Sequence, residues 1–228
     1  MSLKYSKDGK VSFNPLNHAY RRVSDNKYLH SITKTVNKYK IPFDAEATAT
    51  RYAAKHGLDK TELLATWQNE GDISRENGHA VHAVIENYIL KGEIVTTGLY
   101  EKEVPAVQFI KHYFESGKLI PVETEMIVYN DSLAGQIDCI AKSPNGEHYI
   151  FDWKTCKKIT DNSYNRYMHP PFQCCPDANF FHYSLQLGFY KELCKEYDIA
   201  GSYIVHLDSP GYKIIKAANI EIPDYVLQ

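Results

Sequence analysis

Residues Leu133–Thr155 have the sequence LAGQIDCIAKSPNGEHYIFDWKT. It predicts two adjoining β-strands joined by a turn. Strand side chains alternate between the two faces of a sheet. In HYIFDWK, Asp152 and Lys154 therefore share one face, and the aromatic side chains point to the other. Charges inside apolar strands are costly unless they are paired or bound to metal. The pattern therefore favours a charged site over a surface hairpin with scattered charges.

The turn decides whether Asp138 joins Asp152. A two-residue loop at Asn145-Gly146 would set the two aspartates on opposite faces. Pro144 favours instead a type I turn that is followed by glycine in the left-handed region. This three-residue loop sets Asp138 opposite Asp152. Opposed residues have Cβ atoms about 4.5–5.5 Å apart, so both carboxylates can reach one divalent cation, which binds oxygen at ~2.0–2.6 Å.

A second stretch, SRENGHAVHAVIENYILKG, predicts a helix that presents Gly78, His82 and Glu86 along one side, at spacings of four residues. A histidine and a carboxylate at this spacing can bind a metal together. The alternative is an ordinary helix with a surface pair worth ~0.2–0.5 kcal/mol. In the strand ETEMIVYN, Glu123 and Glu125 are expected to share one face. The pattern does not decide which of them joins the site.

The chain of 228 residues, 43% hydrophobic and 24% charged, is expected to form one domain over residues 1–228. It divides into a basic N-terminal segment with a helical hairpin (residues 1–73) and a catalytic core (residues 74–228). Nine Lys or Arg and two Asp fall in the first 40 residues. This balance predicts either a phosphate-contacting surface or a solvated terminal segment. The hairpin would comprise one helix between Asp44 and Gly57 and another up to Gly71.

The ordered motifs resemble the RecB-like exonuclease branch of the PD-(D/E)XK nucleases, with phage-type and mitochondrial single-strand exonucleases nearest in pattern. The match spans roughly residues 78–190. It rests on G-x-x-x-H-x-x-x-E, E-x-x-V-Y, L-A-G-x-I-D, Y-x-x-D-W-K-T and Q-x-x-x-Y. The resemblance implies an α/β (α+β), restriction-endonuclease-like core. This core would be a central mixed β-sheet flanked by helices, with an N-terminal helical extension.

The resemblance also implies roles for individual residues. The Mg²⁺ or Mn²⁺ ligands would be His82, Asp138, Asp152 and the backbone carbonyl of Trp153. Lys154 would act in catalysis beside the two aspartates, with Glu86 and Glu125 tuning the site or holding a second metal. Contacts to substrate would come from Gln186, Tyr190, Thr155, Lys157, Lys158 and Arg166. The last three belong to a long loop, residues 155–177, in which basic and aromatic residues alternate as in surfaces that grip phosphates and stack bases.

The expected function is a metal-dependent deoxyribonuclease, an exonuclease on DNA ends or single strands in replication, recombination or repair. The alternatives are a structure- or sequence-selective endonuclease of the same superfamily and a non-catalytic module that binds DNA or protein. Relatives with an iron–sulfur cluster carry one cysteine before the core, and this chain has none before Cys139, so no cluster is expected. A single-strand annealing protein or a helicase would be a fitting partner.

The expected location is the cytoplasm of a bacterium or phage-infected host, or a DNA-containing organelle in a eukaryote. The N-terminus lacks the apolar core of a signal peptide, and no apolar run approaches the ~20 residues of a membrane span. The five cysteines follow neither a disulfide nor a metal-binding pattern. Reduced thiols and no membrane association are therefore expected.

Overall fold

A computed structural model describes residues 3–208 and 210–228. The strands are β1 (Lys4–Tyr5), β2 (Val11–Asn14), β3 (Ala19–Arg22), β4 (Tyr28–Ser31), β5 (Ile120–Tyr129), β6 (Leu133–Lys142), β7 (His148–Lys154), β8 (Ile199–Asp208) and β9 (Gly211–Lys216). The helices are α1 (Ile32–Asn37), α2 (Ala45–His56), α3 (Lys60–Lys91), α4 (Glu103–Phe109) and α5 (Asn179–Leu193). Helix α4 continues into a π-helical segment, Ile110–Glu115, and Asp224–Val226 forms a 3₁₀ turn.

The nine strands form one mixed sheet in the order β1-β2-β3-β4-β6-β7-β8-β9, with β5 added along β6. Two pairings are parallel, β4 with β6 and β7 with β8. Ala134 of β6 pairs with both Ser31 and Tyr129, so β4 and β5 lie on opposite edges of β6. The fold is therefore a mixed α+β fold with a central sheet and flanking helices, as the sequence predicts.

Two hydrophobic clusters cover the two faces of the sheet. The first cluster packs Ile32 of α1 and Leu185 of α5 against Ile140 and Ile150. The second cluster packs Val84 of α3 and Phe109 of α4 against Phe151 and Trp153, among others. Burying apolar surface of this kind stabilises the fold by roughly 25 cal/mol for each Å². The helices thus form one layer on each side of the sheet, with α3 and α5 on opposite sides.

Helix α3 differs from the prediction of two separate helices. Asp59 caps its start by accepting a hydrogen bond from the Glu62 N–H at 2.9 Å. The helix is 32 residues long and ends at Gly92, which adopts the left-handed conformation. Gly71 lies within the helix because one glycine costs only about 1 kcal/mol there. The expected border between residues 1–73 and 74–228 falls inside this helix. Helix α2 follows the prediction, with Asp44 at its start and Gly57 at its end.

The basic N-terminal segment contributes β1 to β4 to one side of the sheet. The loop after β7 runs through residues 155–178 without a regular helix or strand. Among the residues described, no helix combines the length and apolar character that a membrane crossing requires.

Candidate metal centre

The hairpin between β6 and β7 has the register that the turn chemistry predicts. Ser143 N–H donates to the Glu147 carbonyl at 2.9 Å, and Gly146 adopts a φ of +90°. The strand pairs run from Lys142 with His148 to Cys139 with Phe151. One step further, this register sets Asp138 opposite Asp152. At this step the Trp153 N–H donates to Asp138 Oδ2 at 2.9 Å. The aspartate side chain therefore takes the place of the backbone carbonyl that would accept in a regular strand pair.

Strand β5 is kinked opposite Asp138, and the kink selects Glu125 for the site. Glu125 has a φ of +52° and lies between the pairs Thr124–Cys139 and Met126–Ile137. A non-glycine residue in this left-handed region costs of order 1–3 kcal/mol and persists only where its surroundings hold it. Here the Gln136 side chain donates to the Glu125 carbonyl at 3.0 Å and the Thr124 hydroxyl to the Asp138 carbonyl at 3.1 Å.

The kink also separates the two glutamates that were expected on one face. Glu123 contacts Lys7 and accepts a hydrogen bond from the Tyr197 hydroxyl at 2.5 Å. Glu125 instead approaches His82, with Oε1 3.6 Å from Nδ1. Of the two glutamates, Glu125 therefore lies with His82 and Asp138, and Glu123 lies away from them.

Helix α3 supplies the histidine. His82 Nε2 lies 3.7 Å from Asp138 Oδ2. Ligand atoms of His82, Glu125 and Asp138 all lie within 4.8 Å of one another. One imidazole nitrogen and two carboxylate oxygens suit Mg²⁺ or Mn²⁺, with the nitrogen favouring Mn²⁺. The donor set therefore fits a divalent cation.

Buried Asp152 and partly exposed Lys154 form an ion pair beside these three residues. Lys154 Nζ lies 2.5 Å from Asp152 Oδ2, and only 2% of Asp152 is exposed. The contact lacks hydrogen-bond geometry, so the buried Oδ2 has no correctly directed donor among the described residues. Asp152 lies outside the group of three converging ligands. Of the four predicted ligands, His82 and Asp138 belong to this group of three. Its third member is Glu125, which was expected to tune the site or to hold a second metal.

The carboxylates and cations change each other's acidity. Burial raises the pKa of Asp152 to about 6, with Lys154 opposing the shift and Asp138 adding to it. Burial also raises the pKa of Asp138, against His82 and Lys154. For His82, burial acts to lower the pKa, but Asp138 and Glu125 outweigh it and raise the pKa to about 9. The carboxylates of Asp138 and Glu125 thus stabilise the protonated form of His82.

Lys4 is a site residue that the sequence analysis missed. Its Nζ lies 3.2 Å from Glu86 Oε1 and 3.6 Å from Glu125 Oε2. Glu86 lies one turn after His82, as predicted, but outside the group of three converging ligands. The basic balance of the first 40 residues was the only signal for Lys4. Nothing local indicated that β1 would reach this helix.

The predicted Gln186 and Tyr190 lie next to the centre on α5. Gln186 Nε2 donates to the Tyr190 hydroxyl at 2.7 Å, and Tyr190 is 4% exposed. Burial raises the pKa of Tyr190, as do Tyr20, Asp138 and Asp152. Tyr183, about one turn before Gln186, was not predicted. Its ring centroid lies 4.9 Å from Lys154 Nζ. Buried Tyr190 is suited to position its neighbours, and the ring of Tyr183 orients the lysine.

The other predicted contact residues lie around the end of β7. Thr155 is buried next to α3, where a Cβ on Gly78 would lie 3.5 Å from its Oγ1, an ordinary contact. Lys157 Nζ pairs with Glu70 Oε1 at 2.8 Å. Lys158 is exposed, and its carbonyl accepts a hydrogen bond from Asn179 Nδ2 at 2.7 Å. Arg166 lines a cavity beside α5.

Comparisons with known proteins add little to this geometry. No family model matches the sequence, and no curated protein matches it. A solved structure described as "Crystal structure of SSO0001" is similar over 86% of this chain and 70% of its own, at 13% identity and a TM-score of 0.36.

Proposed function

We propose that this protein is a metal-dependent deoxyribonuclease of the PD-(D/E)XK type, from its RecB-like branch. The observation that carries the proposal is the convergence of His82, Glu125 and Asp138 beside the ion pair of Asp152 and Lys154. Metal-assisted phosphodiester hydrolysis uses a bound cation and benefits from a positive group next to it. These residues would supply both in one place.

In this proposal, His82, Glu125 and Asp138 would hold Mg²⁺ or Mn²⁺, and Asp152 would join them through its carboxylate. A bound divalent cation lowers the pKa of water and neutralises charge on the phosphate oxygens. Lys154 is held by Asp152 and by the ring of Tyr183. Its ammonium group would donate to a non-bridging phosphate oxygen and stabilise the charge that develops in the transition state.

The substrate would be DNA ends or single strands, and the process would be replication, recombination or repair. The compartment would be the cytoplasm of a bacterium or phage-infected cell, or a DNA-containing organelle. A single-strand annealing protein or a helicase would supply the substrate. These assignments rest on the motif resemblance.

The test is cleavage of end-labelled linear and circular DNA, single- and double-stranded, with Mg²⁺ or Mn²⁺ and with EDTA as control. We expect cleavage of linear DNA that EDTA abolishes. Asp152→Asn and Lys154→Met should each lose at least 100-fold in rate, on the order seen when a transition-state contact is removed. Asp198→Asn, at an exposed position just before β8, is the matched control and should retain the wild-type rate.

Two results would contradict the proposal. Intact DNA of every form in the presence of both metals would exclude nuclease activity and favour a binding module. Cleavage that survives EDTA, Asp152→Asn or Lys154→Met would show that the reaction occurs elsewhere. Cleavage of circular substrates would identify an endonuclease, since an exonuclease needs an end.

A further inference from the structure

A cavity of about 550 Å³ lies beside the candidate metal centre. Its walls come from the chain after α1, from residues 160–166 of the long loop, and from the start of α5. His182 lines this cavity, and the next residue, Tyr183, lies against Lys154. The cavity and the metal centre therefore occupy adjacent sides of α5.

Asp177 forms contacts with all three walls of the cavity. Its carboxylate Oδ1 lies 2.8 Å from His182 Nε2 and accepts a hydrogen bond from the Ile41 N–H at 3.4 Å. Its own N–H donates to the Arg166 carbonyl at 2.9 Å. Asp177 is 6% exposed, so these contacts are protected from water. The cavity is thus held open by a buried polar network.

Two cationic side chains, Lys40 and Arg166, line the cavity. Within residues 3–208 and 210–228, neither forms an ion pair within 4.0 Å. Burial lowers the pKa of Lys40, Asp177 opposes the shift, and Lys154 adds to it. Lys40 and Arg166 therefore offer two positive groups to an anion that enters the cavity.

Two aromatic side chains, Phe43 and Tyr164, also line the cavity and remain uncovered. Phe43 is 68% exposed and Tyr164 81% exposed. Tyr164 lies in a tight turn in which it and Asn165 have φ values of +52° and +63°. The Asn162 side chain accepts a hydrogen bond from the Tyr164 N–H at 2.9 Å and braces this turn. The turn therefore presents an aromatic ring to solvent beside two free cations.

We propose that this cavity binds one unpaired nucleotide of a DNA strand whose neighbouring phosphodiester lies at Lys154. The base would stack on Tyr164 and Phe43, and its phosphate would pair with Arg166 and Lys40. Aromatic rings stack on any base, and cationic side chains follow the backbone. A base within a duplex is already stacked and paired, so it cannot enter. The cavity thus selects single strands or frayed ends, an inference that rests on the proposed deoxyribonuclease function.

The test measures binding separately from cleavage. Fluorescence anisotropy follows a fluorescein-labelled oligo-dT strand and a blunt DNA hairpin, in EDTA so that neither is cut. We expect Tyr164→Ala and Arg166→Gln each to weaken binding of the single strand by about tenfold, as loss of one stacking or phosphate contact predicts. Hairpin binding should change less than twofold. Tyr167→Ala, on the same loop but outside the cavity, and Arg51→Gln, on α2, are the matched controls and should bind as wild type does.

The outcomes distinguish this inference from the proposed function. Binding of the single strand that is unchanged in Tyr164→Ala and Arg166→Gln would overturn the inference, as would equal losses on hairpin and single strand. Tighter binding to oligo-U than to oligo-dT would overturn the assignment to DNA. If the cavity variants behave as expected but wild type cuts no DNA with Mn²⁺, the binding site stands and the nuclease proposal fails. Circular dichroism of each variant confirms that it is folded.

Discussion

Gly135 lies where β6 crosses beneath α5 and α1, and no larger residue fits there. A Cβ at this position would lie 2.5 Å from Tyr190 Cε1 and 2.7 Å from Ile32 Cδ1. Overpacking of this kind costs typically 1–3 kcal/mol. We expect Gly135→Ala to lower the free energy of unfolding by about 2 kcal/mol and to displace Tyr190, a positioning residue of the centre.

Urea unfolding checks this prediction, with Gly201→Ala as the matched control. A Cβ at Gly201 would lie 3.5 Å from Tyr149 Cδ1, which is an ordinary contact. Gly201→Ala should leave stability within about 0.5 kcal/mol of wild type or raise it slightly, because alanine restricts the unfolded chain. Equal effects of the two substitutions would show that the tight packing under Tyr190 is absent.

His82 makes the stability of the metal-free protein depend on pH. Its pKa is about 9 in the folded chain, against about 6.5 in an unfolded chain. The folded state therefore binds more protons between these values. This contribution is fully present below about pH 6.5 and is lost as pH rises through 9. We expect stability in EDTA to fall over this range, and His82→Gln to show a smaller fall. An equal pH dependence in both proteins would contradict the charge arrangement around His82.

Lys4 neutralises part of the carboxylate charge that a cation would use. Its contacts to Glu86 and Glu125, at 3.2 and 3.6 Å, place one ammonium group at the edge of the centre. Removing that charge should increase the attraction for a divalent cation. We expect Lys4→Met to bind Mn²⁺ about three- to tenfold more tightly at low salt, as isothermal titration calorimetry would measure.

The matched control for Lys4 is Lys7→Met. Lys7 pairs with Glu123, which lies away from the three converging ligands. This variant should bind Mn²⁺ as wild type does. If both variants change affinity equally, the effect comes from net charge and not from the place of Lys4.

Among the elements, the β6–β7 hairpin was predictable in detail because its information is local. Pro144 and Gly146 select the loop, and the loop fixes which residues face each other. The kink in β5 was not predictable in this way. No glycine marks position 125, and the left-handed glutamate is held by Gln136 from the neighbouring strand. A period-two pattern therefore placed Glu123 and Glu125 together, and tertiary contacts separated them.

Helix α3 is a further case in which local signals were insufficient. Gly71 resembles an end signal in the sequence, but a glycine typically ends a helix where the chain adopts the left-handed conformation. Gly92 does so, with a φ of +72°. Gly71 is exposed within the helix, and a Cβ there would meet nothing within 4 Å.

Because Gly71 and Gly92 differ in conformation, replacement by alanine should have opposite effects on stability at the two positions. Gly71→Ala should raise the free energy of unfolding by about 0.5–1 kcal/mol, because alanine favours the helix and has fewer unfolded conformations. Gly92→Ala should lower it by about 1 kcal/mol, because alanine is strained at a positive φ. Thermal unfolding of both variants measures the signs. A loss of stability in Gly71→Ala would indicate that α3 is interrupted there.

For the whole molecule, the sequence predicted a mixed sheet with flanking helices, which the structure has. It did not predict the order of the strands. The parallel pairing of Ser31 with Ala134 joins residues about a hundred positions apart, and no turn or spacing signals such a contact. Lys4 of β1 also reaches the centre through contacts with residues far along the chain. The basic composition of the first 40 residues was therefore the only sequence signal for it.

We propose that His82, Glu125 and Asp138 form a metal centre beside Asp152 and Lys154. Anomalous diffraction from crystals grown with Mn²⁺ would locate the ion, with Asp138→Asn as the comparison. We expect an anomalous peak bonded at ~2.0–2.3 Å to a nitrogen of His82 and to oxygens of Glu125 and Asp138, and its loss in the variant. A map with no peak at these residues, or with Mn²⁺ only elsewhere on the protein, would contradict the account.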